Sequence, residues 1–263
     1  MKLRNLLSAV FLVLAACSES ETPKDDFLGD CVNHYRAESF KVALTTCTKA
    51  AEKESARAQW LLGNMYYHGL GTEVSDKKAF DWYLSAAQND WTDAQYSIGL
   101  LYRDGEGVEK NVDEGFKWLK KAADNGLREA SFEIGQLFYS DLMGEPDLAN
   151  AIHWFKKAAN DNHQMSINNL SWLYATAPEK QFRDAKRAMF WAEKLKINKD
   201  NSYMFLDTQA AAYALAGKYE EAVNLQNDAI SHLPDDVKGD IREQFQQRLE
   251  AYKNHQAWTE KCC

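Results

Sequence analysis

The sequence predicts an all-α fold in which helix–turn–helix hairpins stack side by side into an α-solenoid, and three observations carry that expectation. The first is a period. Ala58-Gln59-Trp60-Leu61-Leu62-Gly63 recurs 36 residues on as Ala94-Gln95-Tyr96-Ser97-Ile98-Gly99, again as Ala130-Ser131-Phe132-Glu133-Ile134-Gly135, and more weakly as Ser166-Ile167-Asn168-Asn169-Leu170-Ser171. A second string keeps the same step: Ala79-Phe80-Asp81-Trp82-Tyr83, Gly115-Phe116-Lys117-Trp118-Leu119 and Ala151-Ile152-His153-Trp154-Phe155, each followed by an Ala-Ala pair. The second observation is apolar spacing. In the second unit Ile98, Leu101 and Tyr102 share one helix face, and Phe116, Leu119 and Ala123 share another. The third is punctuation. Gly69-Leu70-Gly71 and Gly105-Glu106-Gly107 supply positive φ where one helix stops. Ser75, Asn111 and Asp147, again 36 residues apart, are good N-caps for the next helix. A hairpin of this kind cannot bury both faces alone, so neighbouring units must stack.

Composition removes several classes. The chain of 263 residues is 45% hydrophobic and 27% charged with 4 Pro and 13 Gly, which excludes a chain disordered throughout and a collagen-like or Pro-rich one. A net charge of −8 leaves no cationic excess for nucleic acid. Five Cys are too few for a disulfide-built scaffold and too scattered for a structural zinc site.

Taken in order, residues 1–16 are expected to be a signal peptide. Lys2 and Arg4 precede the apolar run Leu6–Ala16, which rises about 16 Å as a helix, roughly half a bilayer core. Leu14-Ala15-Ala16-Cys17 resembles the bacterial lipobox, in which small residues fit a protease groove and Cys17 becomes the acylated first residue. The resemblance implies lipid anchoring, palmitate included, firm enough to hold the chain in a membrane. Ser18 stands where Asp would signal inner-membrane retention, so the implied address is the bacterial outer membrane, periplasmic face. An ordinary secretory peptide with an incidental Cys is the competing reading. Residues 17–26 are polar and acidic, a short flexible tether. Without residues 1–16 the chain has 29 basic and 39 acidic residues, net −10.

Residues 27–52 form a degenerate first hairpin, with Tyr35, Phe40, Ala43 and Ala50 in corresponding positions. The repeats follow at 56–90, 92–126, 128–162, 164–199 and 203–234, about six hairpins in all. A highly charged helix, 236–258, is expected to cover the open end, leaving 259–263 as a tail. Gly63, Gly99 and Gly135 fall inside helices, where Gly costs about 1 kcal/mol against Ala; such a cost recurring at one register implies close helix–helix approach. The third unit has Asp141 and Met143 in place of the turn's Gly pair, so its turn is expected around Gly144 and Pro146. Asp184 repeats the cap after a one-residue insertion.

Over residues 58–162 the pattern Ala-x-x-x-Leu/Ile-Gly-x-x-Tyr-x-x-Gly-x-Gly, then Ala-x-x-Trp and Ala-Ala, resembles the Sel-like repeat, a relative of the tetratricopeptide repeat. Residues 204–234, with Ala210, Tyr213, Gly217, Tyr219, Ala222, Ala229 and Pro234, resemble the tetratricopeptide repeat itself. The resemblance implies a right-handed superhelix whose first helices line a concave face. It further implies a scaffold for a protein or peptide partner in the envelope, with no enzymatic activity and no cofactor. On that face stand Trp60, Tyr96, Phe132 and Asn168, then Asn64, Leu100, Gln136 and Trp172, then Tyr67, His68, Arg103 and Tyr139. Amides that pair with a backbone, interleaved with rigid aromatic area, suit an extended peptide. For Trp60, Tyr96 and Phe132, packing between repeats is an equal alternative.

Catalytic and metal-binding patterns are weak. The six His form no His-x-x-x-His pair, and no metal site is expected. Ser75-Asp76-Lys77-Lys78 matches Ser-x-x-Lys, the penicillin-binding nucleophile pattern. Cysteine-rich Sel-like proteins have been described as β-lactam-binding, so an enzyme or binder acting on cell-wall material is the alternative function. Against it, Ser75 holds the cap register of Asn111 and Asp147, and no Lys-Thr-Gly follows. Cys31 and Cys47 face each other across the first hairpin; a disulfide is geometrically reasonable in an oxidising compartment, with two buried thiols as the alternative. Such a bridge would contribute about 3 kcal/mol by loop entropy. For Cys262-Cys263, intermolecular pairing, metal capture and an inert tail all stay open.

Overall fold

The computed structural model describes residues 26–199, 202–237 and 239–260. The signal peptide, Cys17, tether residues 17–25 and Cys262-Cys263 lie outside the described residues. Thirteen α-helices and one short 3₁₀ turn are found among those described, and no strand. The helices pair as α1 (Phe27–Arg36) with α2 (Phe40–Glu52), α3 (Ala56–His68) with α4 (Asp76–Gln88), and α5 (Thr92–Asp104) with α6 (Val112–Asp124). Then come α7 (Arg128–Tyr139) with α8 (Leu148–Asn160), α9 (Gln164–Thr176) with α10 (Ala185–Ala192), and α11 (Ser202–Leu215) with α12 (Tyr219–Ser231). The helix α13 (Gly239–Lys253) packs on α12. Asp26 belongs to the fold as well as to the expected tether, since its carboxylate caps α1 by accepting from Gly29 N at 2.9 Å.

The four hairpins from α3 to α10 close by the same two-part lock. The cap side chains of Ser75, Asn111, Asp147 and Asp184 accept the backbone N–H three residues on, at 3.4, 3.0, 3.0 and 3.0 Å. Their own N–H groups donate to the carbonyls of Tyr66, Tyr102, Phe138 and Tyr174, at 2.9, 2.7, 2.8 and 2.9 Å. One residue thus starts the second helix and ties it to the last turn of the first, removing orphan groups at both ends.

The helices of a hairpin touch at the helical glycines. A Cβ at Gly63 would lie 2.4 Å from the Tyr83 ring, at Gly99 2.6 Å from Leu119, and at Gly135 2.5 Å from the Phe155 ring. In the fourth hairpin Ser171 takes this register, and its hydroxyl donates to the Ala188 carbonyl at 2.9 Å. The second turn glycine joins neighbouring repeats instead. A Cβ on Gly71 would sit 2.5 Å from the backbone of Phe40, and one on Gly107 2.3 Å from that of Asp76. Met143 has no room for such a contact, and the third turn is rebuilt through Ser140, Asp141 and Gly144, whose φ is 108°.

Repeats are also stapled by buried polar groups. Gln59 donates to Ala51 O of the preceding hairpin at 3.4 Å and accepts from Asn89 at 3.1 Å. Gln95 does the same with Ala87 O and Asn125, at 3.5 and 3.0 Å. Trp82 and Trp118 pack back onto the core of the repeat before them. In the first hairpin Cys31 and Cys47 form a disulfide with Cα atoms 4.6 Å apart.

The C-terminal helix departs from expectation in length and role. It ends at Lys253, where His255 takes a φ of 54°, stacks on Tyr219, and lets Gln256 N donate to Ala251 O at 2.9 Å. It is more than a polar lid, because it buries Phe245, Arg248, Leu249 and Tyr252, with Arg248 bonded to Asp207 of α11 at 2.8 Å. Residues 254–258 are therefore not helical, and the chain from Trp258 to Glu260 returns to α9.

Gly99→Val places two methyl groups where Leu119 already sits. The expected loss is about 1–3 kcal/mol, seen as a lower urea midpoint; an unchanged midpoint would contradict the close-contact account.

Candidate partner-binding groove

The helices α3, α5, α7 and α9 share one face, linked by side chains running from each repeat to the next. The Tyr67 hydroxyl donates to Glu106 at 2.8 Å, Arg103 donates to Glu133 at 2.5 Å, and Asn169 donates to Gln136 at 2.9 Å. Between these links lies a groove. Its first cavity, about 350 Å³, is lined by Asn64, Tyr67, His68, Leu100 and Arg103, together with Tyr83, Asp104 and Glu106. Arg103 and Asp104 also line the next hollow, which brings in Phe132 and Gln136. Ser140 leads on to Tyr139 and the rebuilt third turn, and from there to a narrower pocket of about 140 Å³ that ends at Glu260.

The sequence-derived site residues divide on this geometry. Asn64, Tyr67, His68, Leu100, Arg103, Gln136 and Tyr139 lie along the groove. Trp60, Tyr96 and Phe132 are half-buried in the seams between repeats, which is the packing alternative. Trp60 meets Trp91 with ring centroids 6.2 Å apart, and Phe132 meets His163 at 4.7 Å while its edge reaches the groove. Burial and the nearby Glu133 carboxylate push the Tyr96 phenol up to about 12. The side-chain oxygen of Asn168 is buried without a hydrogen-bond partner among the described residues. Trp172 is half-buried, with the Arg248 guanidinium 5.4 Å from its ring centroid.

Several groove residues are already committed. Tyr83 donates to the Asn64 side-chain oxygen at 2.8 Å, which orients the amide and leaves its NH₂ for another acceptor. Arg103 is balanced by Asp104 and Glu133, and the Asp104 hydrogen bond chiefly holds its guanidinium protonated. Burial raises the Glu133 carboxyl despite that Arg partner. The Glu106 hydrogen bond raises the Tyr67 phenol above its ordinary value. This lining offers hydrogen bonds, ring faces and balanced charge. Tyr83, Asp104, Glu106 and Glu133 were not singled out from the sequence. Glu106 had one signal, an acidic residue where the preceding Gly-x-Gly turn carries Leu70.

Nothing in the Ser-x-x-Lys motif is arranged for acyl transfer. Ser75 Oγ meets the backbone N–H of Lys78, whose ammonium lies 5.0 Å from the Tyr66 ring centroid. Among the described residues no group of His, Cys, Asp and Glu could hold a metal ion, and no helix is long and apolar enough to cross a membrane.

The fold defines the class, a solenoid of stacked helical hairpins. The Sel1 repeat family matches residues 56–91, 92–127, 128–163 and 165–195, over half of the chain, and the chain belongs to that family. Sel1 repeat proteins generally mediate protein–protein interaction, and the fold is typically a non-enzymatic scaffold. The chain is similar to the Sel1 repeat protein from Oxalobacter formigenes at 23% identity and a TM-score of 0.65, over 78% of this chain and 84% of that one. It is also similar to a protective antigen of uropathogenic Escherichia coli strains that displays an SLR fold, at 21% identity and a TM-score of 0.67. That match covers 84% of this chain and 46% of the antigen, so the chain spans just under half of it. Both likenesses are of fold. No curated protein matches the chain in sequence.

Two expectations follow. Ser75→Ala removes a cap and lowers stability by about 1 kcal/mol, and Ser75→Asp or Ser75→Asn restores it, as their counterparts at 147 and 111 do. Failure of both to rescue would give Ser75 another role. His163 caps α9 by accepting from Ser166 N, which requires an unprotonated Nδ1, and burial holds its pKa below the ordinary 6.5. The unfolded chain therefore takes up this proton first, so the cap's contribution is full above pH 6.5 and lost as pH falls through the lower folded value. An NMR titration places the midpoint below 6.5, and His163→Asn keeps the cap while removing this pH dependence.

Proposed function

We propose that this chain is a lipid-anchored scaffold of the bacterial cell envelope that binds an extended segment of a protein partner along the groove of helices α3, α5, α7 and α9. The observation that carries the reading is the continuity of that groove from Asn64 to Tyr139 through cavities that share lining residues. Its walls alternate amide, ring and ion-paired groups, so an extended backbone meets acceptors and donors while aromatic faces supply contact area. The charge of Arg103 is already neutralised, which disfavours a small free anion as ligand and favours polar and apolar contact. Membrane residence rests on the lipobox-like Leu14-Ala15-Ala16-Cys17, and the outer-membrane address on Ser18.

The test is capture from envelope extract. Wild-type chain is compared with Asn64→Ala/Tyr67→Ala/Tyr139→Ala, both shown folded by circular dichroism, and the variant is expected to lose the partner. In the same fractionation Cys17→Ser moves the chain from the membrane to the soluble fraction. An unchanged partner set removes the groove, and membrane retention of Cys17→Ser removes the anchor.

A further inference from the structure

The C-terminal end of the groove already contains a peptide. Beyond α13 the chain leaves its helix at His255, and residues 256–260 cross to α9 without helical or strand structure. Glu260 N donates to the carbonyl of Thr176 at 2.8 Å, taking one of the orphan carbonyls at the end of α9. The Thr259 hydroxyl accepts from Arg183 at 2.9 Å. The Trp258 ring lies 5.8 Å from the Arg248 guanidinium, which stands over Trp172 on its other contact. Burial raises the Glu260 carboxyl, while the nearby Arg248 guanidinium favours its charged form. The segment's contacts are backbone pairing, a ring beside a cation and a side-chain hydrogen bond, the contacts a foreign peptide would make.

Two features set this segment apart from the packed helices that precede it. Glu260 lines the narrow pocket beside Tyr139 and Leu173 and also the hollow of about 390 Å³ beside Arg248 and Gln247. Glu260 is thus common to the lining of both cavities. The fit is also incomplete, since the Trp258 indole N–H is buried with no acceptor among the described residues. An unpaired buried donor costs free energy, so an occupant without that N–H is favoured over the resident one.

We propose that residues 256–260 are a resident occupant of a peptide site on α9 and α13, and that the partner segment this site fits is an extended peptide with an aromatic residue followed two positions later by a carboxylate. The inference rests on the groove-binding reading and names the partner's chemistry at one end of it. Trp258 and Glu260 supply the pattern: the aromatic ring lies beside Arg248, Glu260 lines the hollow that Arg248 also lines, and the Glu260 N–H pairs with the end of α9. The tethered segment competes at an effective concentration on the order of millimolar, so a partner binds only when it matches the pattern better or at several points of the groove at once.

The probe is a fluorescein-labelled, C-terminally amidated peptide with the sequence of residues 254–260, read by anisotropy against the full chain. Trp258→Ala/Glu260→Ala detaches the resident segment, and the probe is expected to bind this variant at least about tenfold more tightly than wild type. Replacing the probe's Trp or Glu by Ala abolishes the gain, and replacing its Trp by Phe keeps or increases it. Should circular dichroism show the double variant unfolded, Arg183→Ala loosens the segment through Thr259 alone and is expected to give the same rank order. Equal binding to wild type and folded variant overturns the proposal, as does no binding to either variant at millimolar protein. Release that yields a dimer without probe binding also overturns it. None of these variants touches Asn64, Tyr67 or Tyr139, so partner capture can survive the failure of this inference.

Discussion

The structure depends on one contact made several times, the approach of two antiparallel helices at a residue without a side chain. Gly63, Gly99 and Gly135 sit where any Cβ would enter Tyr83, Leu119 or Phe155, so each hairpin closes more tightly than alanine would allow. The contact sets where Tyr83 stands, and the Tyr83 hydroxyl in turn orients Asn64 in the groove. Core packing and groove chemistry are joined through one tyrosine. Where Ser171 takes the register, a hydroxyl-to-carbonyl hydrogen bond replaces bare van der Waals closure.

Stacking of the hairpins rests on buried polar staples as much as on apolar area. Gln59 and Gln95 each satisfy a carbonyl at the end of the preceding helix and are held by an Asn of their own repeat. A fully satisfied buried amide fixes register in a way that an apolar side chain cannot, because a slip would leave donor and acceptor unpaired. At the C-terminal end the Asp207–Arg248 pair, completed by Gln226, anchors α13 in the same manner. Arg248 then faces three rings, Trp172, Phe245 and Trp258, and carries the chain's end back to α9.

How far the groove was legible in the sequence follows from the range of the interactions. Asn64, Tyr67 and Arg103 could be placed on one face because the 36-residue period puts equivalent positions of successive helices side by side. Their partners were less visible. Glu106 answers Tyr67 from a turn 39 residues on, and Glu133 answers Arg103 from 30 residues on, neither at a repeat-equivalent position. The ambiguity at Trp60, Tyr96 and Phe132 was inherent, since a ring on the edge of a first helix can turn toward the groove or the next repeat. In the structure Trp60 meets Trp91 and Phe132 meets His163 in the seam, while Phe132 also lines the groove.

By itself the sequence determined the hairpins, because caps, turn glycines and helical periodicity act over a few residues and repeat in register. It also determined that they must stack, because neither helix of a pair can bury its apolar face alone. Only the tertiary structure decided where the end of the chain goes. Arg183 and Thr259 meet across 76 residues. That contact depends on the accumulated rotation from α9 to α13, a property of the stacked array that no local pattern encodes.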